Sequence, residues 1–174
     1  MVRSLLKLSA TLSLLLIRIV IVQAQTDEKV LRGLDSIEVD IEEINNEDAK
    51  HQGITKEQLQ TDVELRLRTL GIKVSPHGAP APSTSPFLYV ILNFIPVITT
   101  KHETFVYAYN IDVHFVDIVN IARSKKNSDW FFATTWSTGG VSYVNPDELA
   151  SIRHVVIDRV DKFANAYLAA NPEH

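Results

Sequence analysis

From Phe105 to Phe115 every second residue is apolar or aromatic, and Asn110, Asp112 and His114 stand between the last of them. A helix repeats its faces every 3.6 residues or so, so this period of two demands a long strand with one buried and one wetted side. The rest of the chain has to provide both neighbours for that strand and a cover for its apolar face.

Three other stretches supply the neighbours. Ile37, Val39 and Ile41 alternate with Glu38, Asp40 and Glu42, which reads as a first strand with an acidic outer side. Phe87 to Ile95 is nearly continuous in apolar residues, as expected of a central strand buried on both faces. Trp130 to Thr138 reads as a further strand, broken or bulged at Gly139-Gly140 before it resumes at Val141 to Val144. Ile72 and Val74 add a short strand after the first helix.

Two stretches supply the cover. Thr55 and Gln58 have the spacing of a capping box, and Leu59, Val63, Leu67 and Leu70 form one stripe before Gly71 stops the helix. Asn145, Pro146 and Glu148 open a second helix, along which Leu149, Ile152, Val156, Val160, Phe163 and Tyr167 share a face until Asn171-Pro172. Asn45, Asn46 and Gly53 mark a loop, Arg123 to Asp129 a hairpin loop, and the prolines between 76 and 86 an exposed connection. The order is β-α-β-β-β-β-α. This is an α+β fold: a mostly antiparallel sheet of four to five strands with two amphipathic helices packed on one face.

Residues 1–24 bear on location. Arg3 and Lys7 precede an apolar run that ends in Val22-Gln23-Ala24, the pattern of a cleaved export signal. The run is shorter than the roughly twenty apolar residues that a bilayer span needs. Arg18 interrupts it, which leaves an uncleaved N-terminal anchor as the alternative. Residues 25–35 read as a flexible lead-in and 36–172 as a single domain, exported to a periplasm or beyond the cell, with no stable membrane span once the leader is removed.

Without the leader the chain keeps 14 Lys and Arg against 21 Asp and Glu. That balance opposes nucleic acid, whose phosphates demand cations, and opposes a polybasic grip on anionic lipid. The absence of cysteine excludes disulfides, thiolate metal sites, a cysteine nucleophile and a cysteine-borne lipid anchor.

No catalytic signature emerges. Ser137 lacks the glycine two residues earlier that a nucleophile elbow requires, and Gly139-Gly140 does not continue into a phosphate-binding pattern. Asp112 and His114 lie two apart on one strand and so share a face, with His102 or Asp117 as candidate third ligands for zinc or copper. Lacking a recognised spacing, the pair reads first as part of a polar outer sheet face, and no cofactor is expected. His51, His77 and His174 fall in loops or at the chain end, and His154 on a helix flank. Tyr89, Tyr107 and Tyr109 read as packing residues. The stretch Trp136, Ser137, Thr138, Gly139 and Gly140 is the candidate binding edge, an aromatic anchor beside small residues; a buried Trp beside a bulge is the plainer reading.

Gln60 to Arg68 with Gly71-Ile72, Thr135 to Gly139, and Phe163 to Pro172 together resemble a family of small exported bacterial proteins without an assigned function. The element order is also similar to periplasmic α+β adaptor domains, such as the lipopolysaccharide-assembly lipoproteins and the N-terminal domain of the Tol-system propeller protein. The export pattern, the lack of catalytic motifs and the long aromatic strand beside Gly139-Gly140 point to a non-enzymatic envelope protein that binds a protein or another envelope component through a sheet edge or the wet sheet face. A small secreted hydrolase or metal-binding protein using Asp112 and His114 is the alternative, and a purely structural or stress-related secreted protein the third.

Overall fold

The computed structural model describes residues 28–76, 85–98, 104–123 and 130–172. The expected leader, most of the proline-rich connection, the Arg123–Asp129 loop beyond Arg123, and the histidines at 77, 102 and 174 lie outside the described residues.

Four strands form one sheet in the order β1-β2-β3-β4: β1 Glu38–Ile41, β2 Phe87–Ile98, β3 Thr104–Asn120 and β4 Trp130–Val144. The last three are antiparallel neighbours, whereas β1 runs parallel to β2, so the sheet is mixed. Parallel pairing follows from the connection, because a helix lies between β1 and β2 and returns the chain to the same end of the sheet.

Two main helices, α2 (Lys56–Thr69) and α3 (Ile152–Ala170), cover one face. The α+β reading and its one-sided helical layer are therefore observed. Thr55 caps α2 by accepting from the Gln58 amide at 3.2 Å, and Gly71, at φ 85, takes the left-handed stop that only glycine adopts freely. Leu59, Val63 and Leu67 of α2, and Ile152, Val156, Val160, Phe163 and Tyr167 of α3, are buried against Val39, Ile41, Leu88, Val90, Ile111, Val113 and Phe115 of the sheet.

Five expectations are corrected. The loop after β1 contains a short helix, α1 (Glu47–His51), because the Asn46 side chain accepts from the Ala49 amide at 2.8 Å and so caps it. Ile72 and Val74 form no strand. Only an isolated parallel bridge joins Val74 to Ile37, flanking the outer edge of β1. β2 alternates between buried and partly exposed residues, since helices lie on one side of it only. The segment from Asn145 begins as a 3-10 turn, Pro146–Ser151, before the α-helix starts at Ile152.

The fifth correction concerns the lead-in. Glu28–Leu31 forms a 3-10 turn, and Leu31 is fully buried. The Asn171 side chain donates to the Leu31 carbonyl at 2.8 Å and accepts from the Gly33 amide at 2.9 Å, while the Tyr167 hydroxyl donates to the Leu34 carbonyl at 2.8 Å. The end of α3 thus fastens the start of the domain.

Burial first, and then the charge of Asp35, holds the Tyr167 phenol above the ordinary tyrosine value of 10.0, and burial with Glu42 and Asp40 does the same at Tyr89. Both groups bind their protons more tightly when folded than when unfolded. The stability they contribute is complete below their unfolded value and drains away as pH rises through the folded one. Tyr167→Phe is expected to lose about 1 kcal/mol at neutral pH through the missing hydrogen bond. It should also shallow the alkaline decline, as measured by urea unfolding across neutral and alkaline pH.

Candidate functional site

The face of the sheet turned away from the helices has no covering element among the described residues. Register decides which side chains occupy it. Asp40, Tyr89, His114 and Ser137 form one row across the four strands, and Ile91, Asp112 and Gly139 form the next. Asn93, Asn110 and Val141 follow, then Ile95, Ala108 and Tyr143. A polar centre is thus flanked by apolar residues, of which Val141 is 81% and Tyr143 74% exposed. A depression of about 400 Å³ lies there, lined by Asn93, Ile95, Ala108, Asn110, Asp112 and Val141 among others.

The stretch Trp136 to Gly140 divides between the two faces. Trp136 points inward and is only 7% exposed, with its ring edge-on to Phe163 at 5.4 Å. An anchor for a partner has to be accessible, so the aromatic part of the candidate edge belongs to the core. Ser137 and Gly139 share the outer face with His114 and Asp112, which they oppose, while Thr138 and Gly140 sit opposite Val113 and Ile111 on the helix side.

Gly139-Gly140 does not break β4, which runs without interruption to Val144. The irregularity lies earlier, at Thr135. Phe115 pairs with Trp136 and Val116 with Thr134, which leaves Thr135 as the extra residue of a bulge, its buried hydroxyl without a hydrogen-bond partner. The extra residue reverses the alternation of β4. Trp130 and Phe132 therefore emerge on the outer face, where Phe132 meets the Phe87 ring at 6.0 Å. A bulge leaves no mark on a periodicity, so these aromatics escaped the sequence reading.

The glycines serve close approach instead. A β-carbon at Gly139 would intrude on the Asp112 carboxylate and lie 2.8 Å from the Ile111 carbonyl oxygen, whereas at Gly140 it would meet only the tip of the Arg159 side chain.

Asp112 and His114 do share the outer face. Asp112 accepts from the Asn110 side-chain amide at 2.8 Å, and His114 Nδ1 is buried without a hydrogen-bond partner. Asp117, an odd number of positions from both, lies on the opposite face and accepts from the adjacent Ile118 amide at 2.7 Å, so it cannot complete a metal site with them. Among the described residues no cluster of three or more metal-ligating side chains occurs, and His102 lies outside them.

A second depression, of about 660 Å³, lies between α2 and α3. Its charges are matched internally. Arg66 and Asp161 form a two-pronged pair at 2.7 and 2.8 Å, and Arg153 and Asp62 another at 2.8 and 2.9 Å. The Arg66 guanidinium is held above its ordinary value by that hydrogen bond and by the Asp161 charge. These groups clasp helices and leave no unsatisfied charge for a ligand.

No family model matches this chain, and no curated protein does. Among solved structures it is similar to a minor lipoprotein from Acinetobacter baumannii, with 11% identity, a TM-score of 0.40 and coverage of 79% of this chain and 93% of that one. It is also similar to the rare lipoprotein B of Shewanella oneidensis, with 16% identity, a TM-score of 0.33 and coverage of 79% and 99%. At these levels neither likeness carries an argument about function. Among the described residues no helix is long and apolar enough to cross a membrane.

Gly139→Ala is expected to lower stability by about 1–3 kcal/mol, because Asp112 and the β3 backbone have to move. Gly140→Ala should change it by less than about 0.5 kcal/mol, since a flexible arginine tip yields. Thermal unfolding of the two variants checks the contrast; equal effects would mean that the approach of Asp112 to β4 is not a constraint.

Proposed function

We propose that this chain is an exported, non-enzymatic domain of the cell envelope that docks an extended protein segment along β4 and the adjoining outer sheet face. The export pattern of residues 1–24 supports the location. One observation carries the docking. β4 is the last strand of the sheet, and its fifteen residues hold no charge and no proline. Monomeric proteins blunt such edges with charged side chains, prolines or covering segments, because the free amides and carbonyls would otherwise recruit another strand. β1, at the other end, carries acidic residues and follows Ile37, which is bridged to Val74, whereas β4 has only the Glu28–Leu31 turn packed against it outside the sheet and the helical layer among the described residues.

A strand added to β4 would gain main-chain hydrogen bonds, and its outward side chains would lie beside Val141 and Tyr143. The polar centre at Asn93, Asn110 and Asp112 would set register.

The test is bait capture from envelope extracts, with wild type and the double variant Val141→Ser/Tyr143→Ser compared side by side. Both side chains are exposed, so the melting midpoint should be unchanged while partner recovery falls about tenfold or more. Recovery of no reproducible partner, or equal recovery by both proteins, refutes the proposal.

A further inference from the structure

β4 is apolar at both of its ends. Trp130, Phe131 and Phe132 are 61%, 48% and 53% exposed at one end, and Val141 and Tyr143 are uncovered at the other. These are five of the nine large exposed hydrophobic side chains among the described residues, so apolar surface is concentrated on this strand. Trp130 and Phe132 share the outer face with Val141 and Tyr143 because the bulge at Thr135 reverses the alternation between them. β3 and β4 also run past the start of β2. β2 begins at Phe87, opposite Val116, so among the described residues Asp117–Asn120 and Trp130–Ala133 pair only with each other. A two-stranded ribbon is marginal by itself and gains from a further strand.

We propose that β4 pairs antiparallel with β4 of a second copy of this chain, about a two-fold axis at Ser137. The inference rests on the docking reading above and names its occupant. Opposed residues of antiparallel strands point to one face, so only a register in which the faces match is allowed. Next to the axis, Trp136 opposes Thr138 of the second copy, and both lie on the helix side. Thr135 is passed over as the extra residue, as it is against β3. The register then sets Phe132 against Val141 and Trp130 against Tyr143 on the outer face, and Ala133 against Gly140 on the helix side. The two apolar ends of the strand thus cover each other, and the ribbon gains its further strands.

Charge and area favour a second copy. β4 is uncharged in a chain with 21 acidic residues, so two copies meet there without like charges in contact. On the helix side the tip of Arg159 lies over Gly140, and Asp117 pairs with Ala133. Neither charge has an ion pair among the described residues. Setting Gly140 against Ala133 puts Arg159 of each copy and Asp117 of the other in one row. Gly140 and that Asp117 are then two strand spacings, about 10 Å, apart, and the guanidinium has to move by about one spacing to meet the carboxylate. Four aromatics of about 150–250 Å² each, roughly half of it exposed, supply about half of the ~800 Å² per partner of a standard interface before the main chain and Val141 are counted. The Glu28–Leu31 turn packs against α3 as well as β4 and buries Leu31 in the core, so it meets the strand from the helix side. The pairing also closes. It consumes both β4 edges and leaves the two β1 edges, with Glu38 and Asp40, at the ends of an eight-stranded sheet.

The experiment uses the chain from residue 25. Sedimentation equilibrium is expected to show monomer and dimer and no larger species. The chain has no cysteine, so introduced thiols report on the register alone. Ser137→Cys should oxidise to a covalent dimer, because opposed residues of antiparallel strands have Cα atoms about 4.5–5.5 Å apart, within disulfide range. Tyr143→Cys should crosslink to Trp130→Cys when the two proteins are mixed, and not to itself. Ser137→Asp sets two carboxylates against each other at an exposed position and should weaken the dimer about fivefold or more, with an unchanged circular dichroism spectrum. Arg159→Asp should weaken it too, and Arg159→Asp/Asp117→Arg should restore it. A monomer at every concentration, oligomers beyond two, or a dimer that Ser137→Cys does not crosslink overturns the pairing. A monomer that still captures an envelope protein through Val141 and Tyr143 overturns the pairing and leaves the docking reading standing, whereas a monomer that captures none removes both.

Discussion

The buried core between the sheet and the helices is the constraint on which the fold depends, and Phe163 joins three of its aromatic side chains. The Phe163 ring stacks on Phe115 at 5.6 Å, meets Trp136 edge-on at 5.4 Å and lies 6.3 Å from Tyr167. These contacts draw β3, β4 and α3 together from positions far apart in sequence. Aromatic pairs in these geometries add about 0.5–1.5 kcal/mol each to the burial of their area. Because the two long helices are committed to that layer, nothing among the described residues remains to cover the other side of the sheet. The open face is thus a consequence of where the apolar helix stripes go, and the surfaces available for recognition follow from it.

Polar contacts then fix the arrangement that burial permits. Asp62 pairs with Arg153 and Arg66 with Asp161, so the pairs advance in the same direction along α2 and α3 and hold the two helices in one register. Each pair is partly exposed, and such pairs contribute only about 0–1 kcal/mol, so their value lies in alignment more than in stability. Asn171 acts differently. It joins the last turn of α3 to Leu31 and Gly33, and thereby places the first and last described segments of the domain side by side.

Periodicity made much of the fold legible. The stripes Leu59-Val63-Leu67 and Val156-Val160-Phe163, the alternation of Ile37 to Glu42 and of β3, and the Thr55 and Gly71 boundaries all report local physics, and local physics is what a sequence displays. The misreadings were non-local. Phe87 to Ile95 looked buried on both sides because composition cannot say how many faces the helices cover. The glycine pair looked like a break because close approach of the Asp112 carboxylate is a cross-strand fact. The bulge at Thr135 sent Trp136 inward and Phe132 outward, and no pattern in the sequence marks such a residue. Asp112 and His114 were correctly placed on one face; Asp117 was not, although its odd spacing from them already excluded it.

The sheet is polarised along its width, and this separates its edges in kind. At one end β1 is short, carries Glu38 and Asp40, and has its outer side bridged through Val74. An approaching strand there meets charge and an occupied edge. At the other end β4 is long and uncharged. Acidic residues so abundant elsewhere would have been a cheap guard for that strand, and a single inward lysine or a proline would interrupt pairing. Selection for solubility alone would favour such a guard, since an edge of this length that never met a partner would promote association of the chain with itself. Among the described residues the Glu28–Leu31 turn is the one segment outside the sheet and the helical layer that packs against β4, so the uncharged, proline-free sequence of that edge is the feature on which the proposed docking rests.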